Sequence, residues 1–245
     1  MDRVIEEISL KAWPAFETIN HHGWVMRFAD GYTKRANSVT ILEQVDSDIE
    51  PKIIYCESEY RGRKQKPIFR LLSFTNPHLL DEKLAARGYQ LIDPTLVMGL
   101  ELLGQSFNQA PVLTQESLND WLTAYQHVTG VESSLSSIHR MILAAIQSET
   151  IFVLRKEHEE ILACGIGVLE SNYLGIFDLA TSSAQRRRGY ATAVIQGLLQ
   201  WSINKGACFS YLQVVKENIP ARNLYEKLGY EPIYEYWYRV GVVNR

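Results

Sequence analysis

The sequence predicts an α/β fold whose mixed sheet is built in two parts, and three observations carry the prediction. Strand-like and helix-like patterns alternate through the second half of the chain, as they do in mixed layers rather than in sandwiches or bundles. The composition is that of an ordinary globular protein, with 46% hydrophobic and 22% charged residues in a chain of 245. A helix, a glycine, a tyrosine and a strand follow one another twice, at Leu80–Tyr89 and again at Leu224–Tyr230. That junction is also common by chance, so a structural duplication and a coincidence both stay open.

The elements follow in order. Ile5, Ile8 and Ala12 recur at helical spacing, and Pro14 should end that segment. Asp30-Gly31 between aromatic and branched runs predicts a hairpin from Trp24 to Val39. A helix is expected over 47–60, a strand over 67–74, a helix over 78–87 stopped by Gly88, and a strand over 96–102. Polar residues 104–111, punctuated by Gly and Pro, read as a linker between a first part, 1–105, and a second, 110–245. Beyond it come helices over 117–129 and 136–148, then a hairpin of strands 151–155 and 161–169. A strand over 173–180, a helix over 190–205, a strand over 209–215, a helix over 220–227 and a strand over 233–240 complete the chain.

Charge excludes some functions. With 25 basic against 28 acidic residues and a net charge of −3, the chain has no global field to collect a nucleic-acid backbone. Cys56, Cys164 and Cys208 are far apart and form no metal or disulfide pattern, which fits a reducing, cytoplasmic setting. Neither a signal peptide nor a run approaching the ~20 apolar residues of a membrane span is evident, so no membrane partner is expected. His21-His22 and His158-Glu159-Glu160 lack a second ligand set, and no metal is expected.

The chemistry concentrates at Ile176–Trp201: strand, short basic loop with glycine, helix. Such an order aims free helix N-terminal amides beyond the strand end, Gly189 lets backbone approach a ligand, and Arg186, Arg187 and Arg188 add positive charge. A phosphate or pyrophosphate would suit it. The Gly-Lys-Ser/Thr ending of a nucleoside triphosphate loop and the GxGxxG of a dinucleotide fold are both missing. From this segment alone, an ordinary exposed basic turn is an equal alternative.

Residues 186–191, Arg-Arg-Arg-Gly-Tyr-Ala, match the loop Gln/Arg-x-x-Gly-x-Gly/Ala, and Asn218 to Tyr230 follow Asn-x-x-Ala-x-x-Leu-Tyr-x-x-x-Gly-Phe/Tyr. Two such signatures in this order resemble the GCN5-related N-acetyltransferase (GNAT) family over roughly 110–245. The resemblance implies the acyl-CoA N-acyltransferase fold and acetyl transfer from acetyl-CoA, without an acetylated enzyme, to a primary amine of a small molecule or protein. It places the pyrophosphate on Arg186, Arg187, Arg188, Gly189, Tyr190, Ala191 and Thr192, the pantetheine arm beside Leu179, Ala180 and Thr181, and a further cofactor contact at Asn218. Tyr225 takes the role of general acid toward the departing sulfur, although it could equally be a packing tyrosine. Where many relatives carry a glutamate base, this chain has Gln213, so Asp178 is the better carboxylate by position. The missing glutamate leaves room for an acyl-CoA-binding sensor with little turnover.

The run from Gly23 to Ser38 resembles the leading domain of two-module bacterial acetyltransferases, which implies a degenerate first module without a cofactor loop. Tyr234, Tyr236, Trp237 and Tyr238 could line a cleft, but core packing is the readier explanation. A homodimer stays open.

Overall fold

Helix α1 (Asp2–Ala12) buries Ile5, Ile8 and Ala12 on one face, and the chain leaves helical geometry at Trp13, one residue before Pro14. In the computed structural model, residues 1–43, 49–107, 113–131, 133–158 and 160–241 are described. After α1 the first half contains β1 (Glu17–His21), β2 (Trp24–Phe28), β3 (Val39–Ile41), α2 (Ile49–Gly62), β4 (Ile68–Leu72), α3 (His78–Ala86) and β5 (Gln90–Glu101). The second half contains β6 (Thr114–Gln115), α4 (Leu118–Thr129), α5 (Ser133–Ala144), β7 (Glu149–Glu157), β8 (Glu160–Glu170), β9 (Tyr173–Thr181), α6 (Tyr190–Ile203), β10 (Phe209–Val215), α7 (Ile219–Lys227) and β11 (Glu231–Val240).

The expected elements form, with two differences. The sharp hairpin turn is at His22-Gly23 and joins β1 to β2, whereas Asp30 and Gly31, both at positive φ, only open the longer connection from β2 to β3. Asn37 holds that connection away from strand geometry: its Oδ1 accepts from the amides of Ala29 and Gly31 at 2.7 and 2.9 Å, and its Nδ2 donates to the carbonyl of Thr33 at 2.7 Å. Strand β5 begins six residues earlier than its apolar run, because pairing with β11 carries it past polar Asp93 and Pro94. Much of the expected linker, and the start of the helix expected from residue 47, lies outside the described residues.

All strands join one sheet, in the order β1-β2-β3-β4-β11-β5-β10-β9-β8-β7-β6. The run β1, β2, β3, α2, β4, α3, β5 matches β7, β8, β9, α6, β10, α7, β11 element for element. Both glycine–tyrosine junctions take the same form: Gly88 and Gly229 are at φ +83° and +89°, and the amides of Tyr89 and Tyr230 both bond at 3.0 Å to the carbonyl five residues back. The last strand of each half crosses over. Strand β11 pairs with β4, β5 pairs with β10, and the two lie antiparallel to each other at the centre.

One face of this sheet carries a core drawn from both halves, including Ile5, Trp13, Trp121, Phe177, Tyr211 and Tyr234. Tyr234, Tyr236 and Tyr238, at period two, are all buried on that face, while Trp237 donates to Asp81 Oδ1 at 2.6 Å, so the aromatic run is packing. At the centre, Glu6 of α1 pairs with Arg70 of β4, both side chains 0% exposed, and accepts from the Tyr234 hydroxyl at 2.7 Å. No helix among the described residues is long and apolar enough to cross a membrane.

Candidate functional site

Strands β9 and β10 pair in parallel only at Tyr173, Leu174 and Gly175 with Phe209, Ser210 and Tyr211. Beyond that point β9 continues along β8 to Thr181 while β10 continues along β5 to Val215. The two strands therefore splay and open a wedge in the sheet. Along it, β9 carries a bulge, since Cys164 faces Ala180 but Ile166 faces Phe177, leaving Asp178 and Leu179 opposite Gly165. Asp178 takes up the extra residue at φ +46°.

The wedge leads to the basic loop. Its start is tied down by the Ser182 amide, which donates to the Leu162 carbonyl at 3.0 Å, and by Gln185, which donates to Glu160 at 2.8 Å. Arg187 and Gly189 both have positive φ, +64° and +85°, and Gly189 caps α6 without a side-chain acceptor. The first bond inside α6 runs from the Ala193 amide to the Gly189 carbonyl, so the amides of Tyr190, Ala191 and Thr192 are not used by the helix. A Cβ on Gly189 would meet nothing within 4 Å, so the glycine serves the left-handed turn and leaves open space above it. Arg186, Arg187 and Arg188 are exposed and form no ion pair among the described residues. Loop, wedge and helix start thus converge on unused amides and exposed guanidinium groups at the end of a slot, the features of a helix start that can accept an anion.

Tyr225 and Asn218 lie on α7, which follows β10. The Asn218 Oδ1 accepts from the Ala221 amide at 3.3 Å and caps the helix. Tyr225 is buried, its ring 6.2 Å from that of Tyr230, and burial alone pushes its hydroxyl up to about 12. The hydroxyl has no hydrogen-bond partner among the described residues. Gln213 is committed to structure, donating to Ser9 at 2.7 Å and accepting from the Tyr236 hydroxyl at 2.9 Å.

Asp178 is not isolated. Its Oδ2 is 2.7 Å from Nε2 of His139 on α5. The imidazole lies among rings from both halves: Trp13 at 5.7 Å, Tyr32 at 5.4 Å and Tyr125 at 5.3 Å between centroids. Burial, and then the Asp178 carboxylate, push Tyr32 and Cys164 up to about 12 and raise Tyr125 too. Sequence reading did not single out His139, Tyr32 or Arg35. One available signal was that His139, Ile142 and Leu143 share a helical face, which makes the histidine a polar group on an apolar stripe. A separate open depression of about 240 Å³, lined by Leu113, Gly197 and Trp201 among others, adjoins the far half of α6, away from the loop at its start.

Known proteins share this architecture. A GCN5-related N-acetyltransferase from Kribbella flavida superposes with a TM-score of 0.76 at 13% identity, over 98% of this chain and 95% of that one. A tandem GNAT protein from the clavulanic acid biosynthesis pathway gives 0.66 at 10% identity, over 98% and 89%. In sequence, the chain is 27% identical over 247 residues to "Uncharacterized N-acetyltransferase YobR" of Bacillus subtilis (strain 168), covering 97% of this chain and 98% of that protein. The family model described as "Probable histone acetyltransferase Rv0428c C-terminal" matches residues 2–239. With that match over nearly its whole length, and with the GNAT fold around a splayed strand pair, the chain belongs to this family of GCN5-related N-acetyltransferases.

Proposed function

We propose that the chain transfers the acetyl group of acetyl-CoA directly to a primary amine. The observation that carries this reading is the β9–β10 wedge running into the Arg186–Thr192 loop, a slot for an extended arm ending in a cradle for its pyrophosphate. The unpaired arginines, the unused amides and the open space over Gly189 fit such a group. The position of Leu179, Ala180 and Thr181, half-buried on β9 beside the slot, supports their pairing with the arm. Asn218 then has a capping role as well as any contact with the cofactor.

Acetyl-CoA supplies an activated thioester; the residues of the chain supply the proton traffic. The Asp178 carboxylate, backed by His139, accepts the proton that the amine nitrogen loses as its bond to the acetyl carbon forms. Tyr225 gives its proton to the sulfur as the carbon–sulfur bond breaks. The products are an acetamide and a free thiol. Because Asp178 has a partner that can share its proton, the chain need not have a glutamate at Gln213, which favours turnover over a sensor role. We read residues 1–105 as a module that keeps the fold without the cofactor chemistry. Leu84 stands where the second half has Tyr225, and no glycine occurs in Leu42–Asp48 before α2.

Two experiments test this. With acetyl-CoA at 100 times its dissociation constant, the native state should gain about 2.7 kcal/mol, read as a higher thermal midpoint. Gly189→Trp should abolish that gain whatever its own baseline, because it fills the open space and resists φ +85°; an unchanged gain would remove the loop from the cofactor site. Asp178→Asn should cost about a hundredfold or more in kcat and flatten the acid limb of the rate–pH profile, since Asn cannot take the proton but can still bond to His139. A profile identical to wild type would exclude Asp178 as the base.

A further inference from the structure

Three arginines meet where the first half packs against β9 and α5, and each has a different fate. Arg27, nearly buried, spends its donors on carbonyls, with Nη1 on Arg35 at 2.7 Å and Nη2 on Leu10 at 3.0 Å. Arg70 is sealed from solvent against Glu6. Arg35 is only half-buried; its Nε is buried without a hydrogen-bond partner, and its guanidinium forms no ion pair among the described residues. It stands over two aromatic rings, 5.1 Å from the centre of Trp13 and 5.6 Å from that of Phe177.

The position of Arg35 relates it to the chemistry. Phe177 immediately precedes Asp178, and the same Trp13 ring that faces Arg35 lies 5.7 Å from His139. The segment bearing Arg35 is rigid: Asn37 ties its start, Arg27 holds the Arg35 carbonyl, and the Trp13 indole donates to Thr33 at 3.1 Å. A fixed guanidinium with donors left over matches a planar anion rather than a cation.

We propose that Arg35 binds a carboxylate on the acceptor, so that the acceptor is a small amino acid-like molecule whose amine reaches Asp178 while its carboxylate reaches Arg35. This deepens the acetyl-transfer reading and rests on it. An amine on a protein side chain or a simple alkylamine would leave the guanidinium unpaired and gain nothing from it.

The test uses the purified full-length protein and matched pairs of acceptors: L-phenylalanine against 2-phenylethylamine, L-leucine against isoamylamine, L-lysine against cadaverine, and so on through the common amino acids. Thiol release from acetyl-CoA is measured for each, and each is titrated calorimetrically into the protein with CoA present. The expected result is a carboxylate-bearing member with kcat/KM on the order of tenfold to a hundredfold above that of its decarboxylated twin. In Arg35→Met, which keeps the aromatic packing, the advantage should vanish through a higher KM with kcat little changed. Twins of equal rate, or an advantage that survives in Arg35→Met, would overturn the proposal. If the variant does not fold, the wild-type comparison of twins decides alone. If no compound releases thiol, calorimetry separates the two ideas. Carboxylate-dependent binding would uphold the Arg35 site while the transfer reading fails, and no binding by any carboxylate-bearing member would sink the site.

Discussion

Tyr225→Phe should lower kcat at least about a hundredfold and leave the thermal midpoint almost unchanged. Under the proposed mechanism the activity loss follows from removing a proton donor at the sulfur, a contribution that commonly lies between about 10² and 10⁴. Stability should hold because the hydroxyl has no hydrogen-bond partner among the described residues and the ring keeps its contacts with Tyr230. Burial holds this hydroxyl near 12, above its usual 10. The tyrosine therefore remains protonated, and competent as an acid, through the whole neutral and mildly alkaline range. No alkaline limb below about pH 11 should belong to this group, and the rate–pH profile of the variant should keep its shape at a lower level. A packing tyrosine would give the opposite pattern, with kcat preserved.

The largest stability effect is expected at Glu6→Ala. Glu6 and Arg70 are both wholly buried, and Arg70 already leaves its Nε and Nη2 unpartnered while resting 3.8 Å from the centre of the Tyr236 ring. Burial works against the guanidinium's charge, and it is Glu6, with the surrounding tyrosines after it, that offsets this penalty and carries the Arg70 pKa above the usual value. Removing Glu6 strands that charge and the Tyr234 hydroxyl together, at a cost of about 3 to 5 kcal/mol. In a chain of this size the midpoint should fall by about 10 °C. Thermal unfolding followed by circular dichroism would read it directly, and a fall within a degree or two would show that the pair is dispensable. Replacing both partners by apolar residues of similar volume should recover most of the loss.

Much of the second half was legible in the sequence because its signals are local. Gly189, the alternation from Tyr173 to Val240 and the signature from Asn218 to Tyr230 each depend on residues close in the chain. The pair of glycine–tyrosine junctions hinted at the repeated order of elements but left a chance likeness open. The sequence could not convey which strand lies beside which. Apolar alternation in β5 and β11 marks them as strands, but the same pattern suits pairing within a half or across halves. The acceptor side was equally hidden. His139, Tyr32 and Arg35 are separated by long stretches of chain and meet only through packing, and no spacing rule links an arginine in a β2–β3 connection to an aspartate in a bulge. Gln213 illustrates the converse: its sequence position suggested a lost base, whereas in the fold it binds Ser9 and Tyr236 together.

The crossed central strands also govern how the protein can be born. Strand β4 is complete at Leu72, but its neighbour β11 spans Glu231–Val240, so the first half has no partner for that edge until β11 has left the ribosome. At synthesis rates of about 5 to 20 residues per second, that edge waits on the order of ten seconds. The first half must spend that interval as an unfinished sheet, and final closure is among the most non-local events the topology allows. A nascent chain stalled before β11 should therefore be a client for holding chaperones, and the ten residues of β11 are the clasp that releases it.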